Sequence, residues 1–215
     1  MEGLAIRASQ IGKKMLTLAW DIDDVLNDLM RTWFEEWWRP RHPECMLDCE
    51  DIKKNPPDQL LGIALDEYLQ SLDDFRLSGR YEQMQPHSEV LEWFKKHGSL
   101  FRHIAVTSVP REAAPVSAAW VISHFGDWIR TFHFVPSPRV GDIFTTYEST
   151  KAGYLKWLNR VDIFIDDNEK NVHEARSLGT RCFLVSQPWN SGGIKIEEIL
   201  ESLNLECKTR SNHQG

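Results

Sequence analysis

The chain has 215 residues, 41% apolar and 27% charged, enough for one ordinary domain or a core with a modest insertion that buries roughly two thirds of its unfolded surface. No run approaches the roughly 18 apolar residues of a membrane span. The net charge of −7, from 25 Lys and Arg against 32 Asp and Glu, excludes a general attraction to a nucleic-acid backbone or an anionic bilayer, which leaves a small molecule as the expected partner.

In chain order, the first element is a strand from Met15 to Trp20, a short apolar run that stops at Asp21, Asp23 and Asp24. From Leu26 the apolar positions Leu29, Met30, Trp33, Phe34 and Trp37 fall at helical spacing until Pro40 and Pro43 end the pattern. Residues 39 to about 85 are polar, are broken at Pro56-Pro57, and carry a second helical pattern through Leu60, Leu61, Ala64, Leu65, Tyr68 and Leu69. They read as a helical insertion.

After Pro86 a helix is expected near 88–97 up to Gly98, a strand near 101–106, a helix near 113–124 up to Gly126, and a strand near 131–135. Pro136, Pro138 and Gly141 mark a loop, and Ser149 reads as the N-cap of a helix carrying Tyr154, Leu155 and Leu158. Val161 to Ile165 is the next apolar strand and again ends in acids, Asp166 and Asp167. A helix through Val172 and Ala175 stopping at Gly179, a strand from Cys182 to Val185 and a helix over 194–203 complete the pattern, and the polar tail from Lys208 is expected to be disordered.

Strands alternating with helices call for an α/β fold, a doubly wound parallel sheet whose ligands bind beyond the carboxyl ends of its strands. At such ends stand Asp21 with Asp23, Thr107 with Ser108, and Asp166 with Asp167, while Lys151 opens a helix. Carboxylates this dense repel one another unless a cation lies among them, and an all-oxygen set suits a hard ion such as Mg²⁺. Lys151 and the hydroxyls would then supply positive charge and donors to a phosphoryl group.

Four cysteines are too few for a disulfide scaffold, and Arg7, Lys13 and Lys14 lead into no long apolar stretch, so a reduced, cytoplasmic setting is expected. Cys45 and Cys49 with His42 are at most half a zinc set, and no second pair at matching spacing completes it.

The order LTLAWDIDDVL, HIAVTSVP, STKAGYL and VDIFIDDNEKNV resembles the four motifs of the haloacid dehalogenase superfamily of phosphohydrolases, over residues 15 to about 190. The insertion after the first motif, with WVISHFGDW, DIFIDDNEKNVHEA and SQPWN, is similar to the 5'(3')-deoxyribonucleotidase branch. The resemblance implies a core over 1–27 and 86–207 with a helical cap over 28–85. It implies Asp21 as nucleophile forming an aspartyl phosphate, and Asp23 as acid and base. Thr107 and Lys151 would stabilise the phosphoryl group, with Ser108 as a substrate contact or an alternative to Thr107. The Mg²⁺ ligands would be Asp21, the Asp23 carbonyl, and Asp166 and Asp167, with the direct ligand of the last pair left open.

Two departures from the branch stand out: Asp24 replaces a usual glycine, and Ser117 or Ala118 replaces a second lysine, for which Arg111 is a candidate substitute. Trp33 and Phe34 read first as packing and, if one ring turns to the pocket, as a platform for a nucleobase. The expected substrate is therefore a nucleoside monophosphate, with a sugar phosphate or another small metabolite as the alternative. A phosphoacceptor domain of the response-regulator type combines the same residue types, but there the acidic pair comes first and the single acceptor Asp follows. A non-catalytic binding module on this fold is the remaining alternative.

Overall fold

The computed structural model describes residues 15–143, 145 and 147–212, without the side chains of 207–212. The basic residues of 1–14 and residues 213–215 of the tail lie outside this range. Five strands, β1 (Thr17–Trp20), β2 (Arg102–Val109), β3 (Ile129–Pro136), β4 (Ile163–Asp166) and β5 (Arg181–Leu184), form one parallel sheet in the order β3-β2-β1-β4-β5.

The central strand β1 is buried along its whole length, as an apolar run covered on both faces must be. Its alternating side chains divide the core. Leu18 and Trp20 face α5 (Ser88–His97), α6 (Ala114–Phe125) and α9 (Ile196–Asn212), in a cluster with Trp93, Phe94, Trp120, Phe125, Ile199 and Leu203. Ala19 faces α7 (Lys151–Leu158) and α8 (Glu169–Ser177), where Ala152, Leu155, Val172 and Ala175 pack with Phe164 of β4. The sheet is thus doubly wound, and its order reverses at β1, so the carboxyl ends of β1, β2 and β4 open onto one crevice.

Between β1 and β2 the chain runs through α1 (Leu29–Trp33), a π turn over Phe34–Trp38, α2 (Asp58–Leu61), α3 (Leu65–Leu77) and α4 (Arg80–Gln83). The excursion starts and ends at adjacent points, since the His87 N–H donates to the Leu26 carbonyl at 2.9 Å. Its aromatic residues do not form a core of their own. Trp33, Phe34, Trp38, Tyr68 and Phe75 join the cluster that covers one face of the sheet.

Three expectations need correction. The aromatic helix is α-helical only to Trp33, and the wider π turn that follows lets Phe34 and Trp38 both be buried while Trp37 stays half-buried. Thr150, not Ser149, caps α7, accepting the Gly153 N–H at 3.0 Å. The last helix, expected over 194–203, spans Ile196–Asn212.

Candidate active site

Asp21 follows the last residue of β1, and its N–H still bonds to the Ile165 carbonyl of β4, which fixes the carboxylate at the sheet's edge. Lys151, the first residue of α7, is 2% exposed and lies 2.5 Å from Asp21 Oδ2 and 2.8 Å from Asp166 Oδ2. The Thr150 cap therefore fixes the helix turn that carries this ammonium. Lys156, five residues on in the same helix, is exposed.

Asp166 is fully buried and accepts from the Asn168 N–H and the Asn171 amide as well as from Lys151. Asp167 lines the crevice and accepts the Trp189 indole N–H at 2.8 Å. One oxygen from each of Asp21, Asp166 and Asp167 lies within 4.8 Å of the others, the only such group of His, Cys, Asp or Glu among the described residues. Cys45, Cys49 and Cys182 are free thiols, and His42 pairs with Glu44.

The electrostatics of this cluster are one-sided. Burial, and then the charges of Asp166 and Asp167 against that of Lys151, raise the Asp21 carboxyl well above its usual range. Burial and the neighbouring Asp166 push Asp167 up to about 7. Burial pulls the Lys151 ammonium down, but Asp166 and Asp21 more than reverse this and hold it protonated. Three carboxylates around one ammonium leave surplus negative charge, and an all-oxygen donor set of this size fits a hard divalent cation.

Asp23 is held differently. Its Oδ1 accepts the Tyr81 hydroxyl at 2.7 Å and the Asn27 amide at 3.3 Å, and its Oδ2 accepts Arg76 at 3.0 Å. Asp24 adopts φ 61°, the left-handed conformation, and its carboxylate accepts the Met30 N–H at the start of α1. Burial, with Asp167 nearby, raises its carboxyl well above the usual range.

The cleft has a volume of about 270 Å³. Asp21, Asp23, Thr107, Ser108, Lys151 and Asp167 line it, so the structure brings the sequence-identified polar residues together. Trp33 and Phe34 are not part of that lining. Both are fully buried, Trp33 against Tyr68 with its indole N–H on Ser71, because the α1 rings are consumed by packing. The aromatic residue that does reach the cleft is Tyr68, beside Leu69 and Leu72. Arg111 pairs with Glu112 outside the lining, and Ser117 is buried on α6.

Arg76, Arg139 and Asn171 also line the cleft and were missed in the sequence. Arg76 had a readable signal. With Tyr68, Leu72 and Phe75 it falls on the buried face of α3, and a charge on an apolar face demands a partner.

The fold, a parallel α/β core with helices inserted after its first strand, is similar to that of haloacid dehalogenase-like hydrolases. A haloacid dehalogenase-like hydrolase from Streptococcus pneumoniae is similar with a TM-score of 0.62 at 12% identity, over 88% of this chain and 98% of that one. A protein assigned as a β-phosphoglucomutase from Thermotoga maritima gives 0.54 at 21% identity, covering 89% of this chain and 99% of that one. One assigned as a phosphoglycolate phosphatase from Lactobacillus delbrueckii subsp. bulgaricus gives 0.57 at 15%, covering 89% and 99%. At these identities the likeness is one of fold. No family model and no curated protein matches the sequence.

Proposed function

We propose that this chain is a Mg²⁺-dependent phosphomonoesterase that forms an aspartyl phosphate on Asp21. The observation that carries the reading is Lys151 held between Asp21 and Asp166, with Asp167 completing a tight oxygen cluster at the carboxyl end of the sheet. Asp21, with Asp166 and Asp167, would hold the ion, and Asp167 is favoured as the direct ligand of the pair because it lines the cleft while Asp166 is saturated by Lys151, Asn168 and Asn171. Bound Mg²⁺ supplies neutralising charge to phosphoryl oxygens.

In this reading an Asp21 oxygen attacks phosphorus and the bond to the leaving alcohol breaks. Lys151 offsets the charge that builds on the phosphoryl oxygens, and the Thr107 hydroxyl, with Ser108 beside it, donates to them. Asp23 gives its proton to the leaving oxygen and then takes one from the water that opens the acyl phosphate. Residues 28–85 act as the cap that closes this chemistry from solvent, on a core of 1–27 and 86–207.

For the substrate we favour a small phosphomonoester such as a sugar phosphate, because the cleft of about 270 Å³ is lined mostly by polar and charged side chains, with Ser137, Arg139, Asn168 and Asn171 beyond the residues assigned to the chemistry. A nucleoside monophosphate is the second reading, favoured by the wall of Tyr68, Leu69 and Leu72 rather than by Trp33 and Phe34. The 5'(3')-deoxyribonucleotidase assignment rests on the sequence resemblance alone. No helix among the described residues is long and apolar enough to cross a membrane, and the free thiols suit the cytoplasmic setting that belongs to this reading.

A phosphate-release screen over sugar phosphates, small acid phosphates and nucleoside monophosphates, with Mg²⁺ or with excess chelator, tests it. Turnover that needs Mg²⁺ and favours a small ester is expected. Full turnover in chelator, or stabilisation by Mg²⁺ with no turnover on any ester, contradicts the reading, and a preference for nucleotides reverses the order of substrates.

A further inference from the structure

The insertion supplies more than a cover, because two of its residues reach the first loop and hold Asp23. Resting on the reading of Asp23 as acid and base, we infer that Tyr81 and Arg76 are its positioning residues, and that they select Asp23 Oδ2 as the oxygen that exchanges the proton.

A carboxylate offers about four lone-pair sites, two on each oxygen. On Oδ1 the Tyr81 hydroxyl and the Asn27 amide take both. On Oδ2 Arg76 takes one and leaves one. Asp23 lines the cleft, so the remaining site on Oδ2 is the one through which it serves a reacting group. Burial holds the Tyr81 phenol well above its ordinary titration range, so it remains an O–H donor. The proton passes from Oδ2 to the leaving oxygen as that oxygen takes the electron pair of its bond to phosphorus. Oδ2 then accepts a proton from water as the water oxygen bonds to phosphorus and the Asp21–phosphorus bond breaks.

Arg76 is fixed from its other side. Its second nitrogen lies 3.3 Å from Asp73, and both Asp73 oxygens are gripped by Arg139, at 2.6 and 2.9 Å, from the loop after β3. Asp23, Arg76 and Asp73 are each at least nine-tenths buried. Charges alternate along this row, from the first loop through α3 to the loop after β3. Arg76 is therefore held between two carboxylates through its two terminal nitrogens, and that placement orients Oδ2.

The test compares p-nitrophenyl phosphate, whose leaving group needs little proton help, with glycerol phosphate, whose leaving group needs much. Tyr81→Phe, which keeps the ring, is expected to lower kcat/KM on glycerol phosphate about tenfold or more, with kcat/KM on p-nitrophenyl phosphate within about threefold, while kcat, which includes the hydrolysis of the aspartyl phosphate common to both esters, falls on both. Arg76→Lys, which keeps the charge on a single nitrogen in place of the fork, should fall between the parent and Arg76→Ala, and Arg139→Ala should show the same selectivity more weakly. Asp23→Asn gives the reference pattern.

Equal losses of kcat/KM on the two esters in Tyr81→Phe and Arg76→Lys, or a parent-like kcat/KM on glycerol phosphate in both, overturn the inference. If Arg76→Ala fails to fold, Tyr81→Phe and Arg76→Lys decide the question. A parent without Mg²⁺-dependent turnover sinks the phosphatase reading and this inference together. A parent whose Asp23→Asn variant is leaving-group sensitive while Tyr81→Phe is not sinks this inference alone.

Discussion

His103 of β2 accepts the Trp20 indole N–H on Nδ1 and bonds through Nε2 to the Gly98 carbonyl, which assigns the neutral tautomer with its proton on Nε2. Burial holds this imidazole down to about 4, and a second ring proton would face the indole N–H. The native ring stays neutral while the unfolded one protonates near its ordinary value, so between those two values the unfolded chain binds more protons and stability falls as pH falls. This group should remove about 2 kcal/mol of stability between pH 7 and pH 5. Urea unfolding of the parent and His103→Gln at both pH values measures it, and an equal pH slope in the two proteins contradicts it. Asp24 is a second residue-scale case. Its carboxylate accepts the Met30 N–H in the first turn of α1, as a capping oxygen would, so Asp24→Ala should cost about 1 kcal/mol and Asp24→Asn, which keeps an acceptor, less than half as much. An equal loss in the Asn and Ala variants would show that the charge, not the acceptor oxygen, matters there.

At the scale of elements, the strand ends were legible because a buried apolar run that stops on acids has few meanings. The same physics made β1 and β4 readable and located Asp21, Asp166 and Asp167 together. Helix starts were readable only to within a few residues: the aromatic helix, read from Leu26, begins at Leu29, and the last, expected from 194, begins at Ile196. Ser149 and Thr150 are both capping types, and only the bond to Gly153 distinguishes them. Arg139 and Tyr81 were not legible. Arg139 meets Asp73 across 66 residues and Tyr81 meets Asp23 across 58, pairings that no local periodicity encodes. The α1 rings were legible as apolar but not as to where they point, and the structure spends them on packing. Trp33→Ala should therefore cost about 3 to 5 kcal/mol of stability and, in whatever protein still folds, lower activity on nucleotides and small esters alike. A selective loss on nucleotides would return the ring to the substrate.

At the scale of the whole molecule, the open question is how a fold tolerates Asp21, Asp24, Asp166 and Asp167 buried at one edge of its sheet. Lys151 neutralises part of that charge and raised carboxyl values relieve more. A divalent ion would relieve the rest. At about a hundred times its dissociation constant Mg²⁺ should add roughly 2.7 kcal/mol, which for a chain of this size raises Tm by about 5 to 10 °C. An unchanged Tm in saturating Mg²⁺ would contradict the metal site while leaving the fold untouched.

The account stands on Asp21 as the atom that takes the phosphoryl group. The direct measurement is to mix the Asp23→Asn variant with Mg²⁺ and p-nitrophenyl phosphate, quench in acid, and map any added phosphate by mass. A gain of one phosphate on Asp21, lost in the Asp21→Asn, Asp23→Asn double variant, is predicted, with turnover in Asp21→Asn alone reduced by roughly a thousandfold or more. A phosphate carried by another residue, or an Asp21→Asn enzyme within about tenfold of the parent, would contradict it.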